Sequence, residues 1–172
     1  MAFDNTKRHI VAESSLLKAT ITGRLVNLVD EAADVDNGKL VTKGDYIAPE
    51  TYKMGTPTEG DKVYLTLQAP LIYENYTTGN QAEYNFYNEK GSVVRCYPLE
   101  ADDIFTVSED AITALASAPV INNLVIANGR DIKEVAAGTS TDTNGFAGRI
   151  IQKVTLSSGV NYRIEVIKNT TV

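Results

Sequence analysis

The sequence predicts a mainly β protein, all-β or α+β, arranged as an antiparallel sandwich or barrel-like domain with one short helix around 109–117. Three observations lead there. Short runs alternate apolar and polar side chains with period two, and Gly, Pro, Asn and Asp clusters punctuate those runs as turns do. Only one stretch, Ser108 to Pro119, carries both a helix start and a helix stop. At 172 residues, 43% of them hydrophobic, the chain is long enough to bury a real core in one domain. Two lobes meeting near 112–120 remain an alternative.

Taken in order, residues 1–14 read as an N-terminal arm and 15–172 as the β-rich domain. In ATITGRLVNLVD (19–30), Ile21, Leu25 and Val29 recur among polar residues, an imperfect strand with Gly23 as its bulge. GKLVTKGDYI (38–47) follows, and the intervening Asn37-Gly38 pair favours a type I′ hairpin turn. The surrounding DVDNGKLVTKGD (34–45) has some features of a calcium loop. Counted from Asp34, however, Gly38 occupies a ligand position, the obligatory glycine comes one residue early, and Asp45 stands where a bidentate glutamate belongs. The hairpin is the better reading.

YIAPETYKMGTPTEGDK (46–62) reads as a surface loop, and DKVYLTLQAP (61–70) as a half-buried strand with Val63, Leu65 and Leu67 on one face. Residues 71–90 gather Tyr73, Tyr76, Tyr84, Phe86 and Tyr87 among asparagines and acids. Such a composition suits protein or sugar recognition, or else covers the core beneath a long connection. Strands are expected at 92–97 and 103–107. Ser108 as N-cap, with Glu109 and Asp110 at the positive end of the dipole, then predicts the helix. A strand at 120–127, a turn at Asn128-Gly129, an ambiguous strand or helical turn and a polar loop at 139–145 come next. The chain closes on a hairpin, GRIIQKVTLSS into GVNYRIEVIKN, placing Ile151, Val154 and Leu156 opposite Val160, Tyr162, Ile164 and Val166.

Composition narrows the function. Acids outnumber bases 22 to 16, a net charge of -6, so nucleic-acid backbones are repelled overall. The opening MAFDNTKRHIVAESSLL carries charges where a signal peptide needs an apolar block, and no run approaches the roughly 20 apolar residues of a membrane span. The expectation is a soluble protein made inside a cell, with no membrane partner. Without a secretion signal, the sequons at Asn75 and Asn169 carry no weight. Lys7-Arg8-His9 is the one dense basic patch and reads as a solvated end.

Catalytic sets are missing from the pattern. His9 is the only histidine and Cys96 the only cysteine. A triad would have to use a histidine on a mobile arm, zinc lacks a ligand set, and Cys96 sits in an apolar strand where an inert thiol is the default. Asp102-Asp103 and Glu109-Asp110 are adjacent pairs whose members point to opposite faces of a strand, so neither converges as glycosidase carboxylates must. Glycines 138, 145 and 148 lack the Gly-Lys-Ser/Thr that closes a phosphate loop. No catalytic residue, cofactor or metal is assigned, and a binding or structural role is expected.

One segment, APLIYENYTTGNQAEYNFYNEKGSVVRCYPLEADDIFTVSEDAI (69–112), is similar in layout to virion structural proteins of tailed bacteriophages. There, a Tyr/Asn-rich stretch leads into a strand, an acidic segment and a short helix. The NGKLVTKGD hairpin and the SSGVNYRIEVI ending share that character, and the chain most resembles capsid decoration, or head cement, proteins. The resemblance covers about half the chain and transfers neither a fold nor an oligomeric state residue by residue. It implies a protein synthesised in the host cytoplasm and residing on the outer capsid surface, bound to the major capsid protein, with homo-oligomerisation left open. The shell contacts it suggests are Phe3, Lys7, Arg8 and His9 of the arm with Tyr73, Tyr76, Tyr84, Phe86 and Tyr87 of the aromatic stretch. The alternatives are another phage role, such as a head fibre base or tail component, and a carbohydrate-binding module stacking sugars on the same tyrosines.

Overall fold

Two β bodies interleave along the chain. In the computed structural model, which describes residues 2–3, 8–69 and 86–172, strands β1 (Ala2–Phe3) and β2 (Val11–Glu13) precede one short helix, α1 (Lys18–Thr22). Then come β3 (Val26–Val29), β4 (Leu40–Ala48), β5 (Thr51–Gly55), β6 (Tyr64–Thr66), β7 (Phe86–Tyr87) and β8 (Val93–Pro98). The remainder comprises β9 (Ile104–Ser108), β10 (Ile112–Thr113), β11 (Leu124–Asn128), β12 (Asp131–Val135), β13 (Phe146–Leu156) and β14 (Gly159–Asn169). Strands β3, β5, β4, β6 and β8 close a barrel in that order, while β10-β12-β11-β13-β14-β9-β2 form a seven-stranded sheet. Pairing is antiparallel except for β3 with β5 and β10 with β12. The protein is thus mainly β, with a barrel set into the chain between two strands of a sheet.

Burial follows the period-two geometry of strands. Leu28, Val41, Met54, Val94 and Cys96 fill the barrel. A larger core joins Phe105, Val107, Val125, Ile132, Phe146, Ile150, Ile164 and Val166 of the sheet with Leu40 and Leu65 of the barrel wall. Neighbouring Leu40 and Val41 are both fully buried because one packs against the sheet and the other points into the barrel. Arg130 and Asp30 pair across the junction, and the Leu40 amide donates to the Arg130 carbonyl at 2.9 Å.

Strands β8, β9 and β14 stand close to where alternation puts them, and Tyr162, Ile164 and Val166 face inward as expected, whereas the strand expected at 120–127 begins only at Leu124, residues 120–123 being loop. Other expectations need correction. The 19–30 strand is helix α1 followed by β3: the Lys18 amide donates to the buried Asp103 carboxylate, Gly23 ends the helix at φ 67°, and Ile21 is 76% exposed. Gly38 does turn at φ 80°, but Asn37 does not share its positive φ, so the turn is not type I′ and β4 does not pair with β3. Asn37 instead acts as a strand partner, its amide group donating to the Gln68 carbonyl and accepting from the Gln68 amide, both at 2.9 Å.

The 46–62 loop contains the rest of β4 and all of β5, turning at Pro49-Glu50 with Glu50 at φ 58°. The 61–70 strand shrinks to Tyr64–Thr66. The 109–117 helix is a single 3-10 turn, Glu109–Ala111, leading into β10. Ser108 makes no side-chain cap, because its hydroxyl accepts the Ile10 amide at 3.1 Å. The second hairpin turns at Gly129-Arg130, one residue later than expected. A break in register after Ile150 turns that residue inward in place of Ile151, and Leu156 is exposed near the hairpin tip. Within 112–120, β10 belongs to the same sheet as β12, while the chain passes from barrel to sheet between Pro98 and Ile104.

Candidate functional site

The N-terminal segment and the aromatic stretch meet. Strand β1 pairs antiparallel with β7, Ala2 opposite Tyr87 and Phe3 opposite Phe86. The Arg8 guanidinium lies 4.5 Å from the centroid of the Tyr87 ring, a cation–π contact, and its Nη1 reaches Asp36 Oδ1 at 3.3 Å. Ile10 is buried beside Ser108, and β2 continues the sheet along β9. Residues 8–13 are therefore built into the fold, which corrects their reading as a mobile, solvated end.

Of the nine expected contact residues, the structure brings Phe3, Arg8, His9, Phe86 and Tyr87 into one region. Lys7, Tyr73, Tyr76 and Tyr84 lie outside the described residues. Phe86 is buried, so its ring packs inward, whereas Tyr87 stays half exposed under Arg8. A cavity of about 280 Å³ adjoins them, bounded by Ile10, Asn37, Leu67, Phe86 and Tyr97.

His9 is held at the same junction, its Nδ1 3.9 Å from Asp36 Oδ2 and without a hydrogen-bond partner among the described residues. Burial, then the charge of Lys39, lower its pKa below the ordinary histidine value, and Asp36, Asp110 and Asp131 oppose them. Lys39 is itself paired with Asp131 at 2.6 Å.

Of the carboxylates that sequence reasoning weighed for catalysis, Asp103 has structural work. Asp103 is buried and accepts the Lys18 amide at 2.9 Å and the Glu100 amide at 2.8 Å, while Asp102 occupies a left-handed turn at φ 71°. Asp34 accepts the Lys90 amide at 2.9 Å. Gly145 and Gly148 are sites of close backbone approach: a Cβ on Gly145 would stand 2.2 Å from the Asp61 carbonyl oxygen, and one on Gly148 would stand 2.9 Å from Ile164. Cys96 points into the barrel, where burial pushes its thiol pKa up. Among the described residues, no three His, Cys, Asp or Glu side chains converge as a metal site needs, and no helix is long and apolar enough to cross a membrane.

Two features escaped the sequence reading. On β4, Tyr46 is 62% exposed and meets Tyr52 edge-on at 5.6 Å, with Lys43 Nζ 3.7 Å from the Tyr52 centroid. Lys43 occupies one face of Tyr52, leaving Tyr46 as the open ring. The Tyr-Lys composition of 43–52 was the available signal, masked by the two prolines and glycines that made 46–62 resemble a loop. The other feature is fully buried Glu134, which accepts the amides of Leu115 and Val120, each at 2.8 Å, and the Asn123 side chain at 2.7 Å. No protein-family model, curated protein or solved structure matches the chain.

Proposed function

We propose that the chain is a non-enzymatic virion protein of a tailed bacteriophage, a capsid decoration or cement protein that binds the outer surface of the head and stabilises the expanded shell. The observation that carries the reading is the pairing of β1 with β7, which joins the arm to the aromatic stretch, with Arg8 stacked on Tyr87. Two segments that are distant in sequence thereby share one patch, with an aromatic ring and a cation of the kinds enriched in protein interfaces.

The partner is the major capsid protein, and the protein, made in the host cytoplasm, resides on the outer shell. It makes no direct contact with nucleic acid or membrane. A net charge of -6 suits the outer surface better than the DNA-facing one. Repetition over many symmetric sites lets a modest individual interface hold a shell together.

Co-sedimentation with expanded, protein-stripped heads, beside unexpanded procapsids, tests this. Saturable binding to expanded heads alone is expected, weakened by Arg8→Ala together with Tyr87→Ala. Absence of binding to either particle sinks the proposal.

A further inference from the structure

From Ala111 to Gly129 the chain carries no charged residue, although the protein as a whole is acidic. Within that run Leu115, Val120 and Ile121 are 56%, 53% and 47% exposed. Isolated exposed apolar residues need no explanation, but these are held together. The amides of Leu115 and Val120 donate to the two oxygens of one carboxylate, that of Glu134, which brings them within about 8 Å of each other.

The loop is fixed from its other side as well. The Asn122 amide donates to the Ile150 carbonyl at 2.8 Å, and the Ile150 amide donates back to Asn123 at 3.0 Å. Asn122 holds a left-handed conformation at φ 72°, and Pro119 is buried. Burying a carboxylate is costly unless its oxygens are satisfied. Glu134 is fully buried to fix a loop whose apolar side chains face solvent. That is preorganisation of a contact surface, which lowers the ordering cost of binding.

We infer that the 114–123 loop is an apolar docking knob that seats in an uncharged, apolar recess repeated over a protein lattice. Resting on the decoration reading above, this assigns a second shell contact, remote in sequence from the β1–β7 patch. Size and charge select the occupant. The three side chains expose on the order of 300 Å², well short of the ~800 Å² per partner in a stable complex, so a soluble dimer through this loop alone would not persist. Two copies each carrying a net charge of -6 also repel. On a lattice, by contrast, a weak contact adds to the first through effective concentration.

The test is a co-sedimentation titration on expanded heads with three full-length chains: wild type, Leu115→Asp/Val120→Asp and Leu115→Ser/Val120→Ser. Urea unfolding and sedimentation velocity are run on each. Wild type is expected not to dimerise through this loop. The aspartate pair should raise the apparent Kd at least about tenfold and the serine pair by less, with unchanged urea midpoints. If the aspartates lower the midpoint, the serine pair decides alone: weakened binding upholds the knob, and wild-type binding overturns it. Wild-type affinity in both variants overturns the knob and leaves the decoration reading standing. Failure of wild type itself to bind removes both. A wild-type dimer that the aspartates dissociate makes a second copy the occupant and overturns the inference.

Discussion

His9 sits where burial and charge oppose one another. Desolvation and Lys39 favour the neutral ring, whereas Asp36, Asp110 and Asp131 favour the imidazolium, and the balance leaves the pKa below 6.5. In the unfolded chain His9 takes up its proton near pH 6.5, so between there and the lower folded value the unfolded state binds more protons. The contribution to stability is intact above about 6.5 and is lost as pH falls through that window. Urea unfolding at pH 7.5 and 5.5 should show this loss in wild type and a smaller one in His9→Asn. Equal losses in both would refute the assignment. Arg8 and His9 were legible as candidates because, with Lys7, they form the one dense basic cluster of the sequence. Their docking was not, because the residues that hold this segment, Asp36, Tyr87 and Ser108, are distant in sequence. The structural role of Asp103 was hidden in part for the same reason: one of the two amides that its carboxylate accepts, that of Lys18, lies 85 residues away.

Among elements, the 114–123 loop shows how a single buried group overrides local propensity. Ala, Ile, Leu and Ala after a Ser-Glu-Asp start satisfy the rules for a helix. Glu134 draws away the amides of Leu115 and Val120 at 2.8 Å each, and β10 pairs with β12 instead. Glu134→Ala leaves three donors without their partner and should cost about 3 kcal/mol or more in chemical denaturation, with Glu134→Gln costing less. A change under about 1 kcal/mol in the alanine variant would show that water replaces the carboxylate and that the loop does not depend on it. Strands β8 and β14 were legible because one face of each meets a core: Val94 and Cys96 alternate with exposed Val93 and Arg95, and Tyr162, Ile164 and Val166 alternate with half-buried Arg163 and Glu165. The reading faltered at α1 and at the 46–62 stretch. The first is too short to show a helical period, and in the second prolines and glycines serve a strand turn.

At the scale of the molecule, barrel and sheet share one core. Leu40 and Leu65 belong to the same packed cluster as Phe105, Val125 and Ile164, and β2 and β14, from opposite ends of the chain, both flank β9 in the sheet. Thermal unfolding should therefore be a single cooperative transition, with tyrosine near-UV and backbone far-UV signals superimposing. Two separated transitions would show that the barrel and the sheet unfold independently. By itself the sequence determined the mainly β class, the inward faces of the strands that alternate, and the paucity of histidine and cysteine. These follow from residue type and from neighbours one or two positions apart. Only the tertiary structure decided which strands pair, that the barrel interrupts the sheet, and that the arm meets the aromatic stretch. Those choices rest on contacts such as Val63 with Asn169 and Ile10 with Ser108, 106 and 98 residues apart. Local periodicity does not encode them, because it specifies which face a residue turns inward and leaves open what that face will meet.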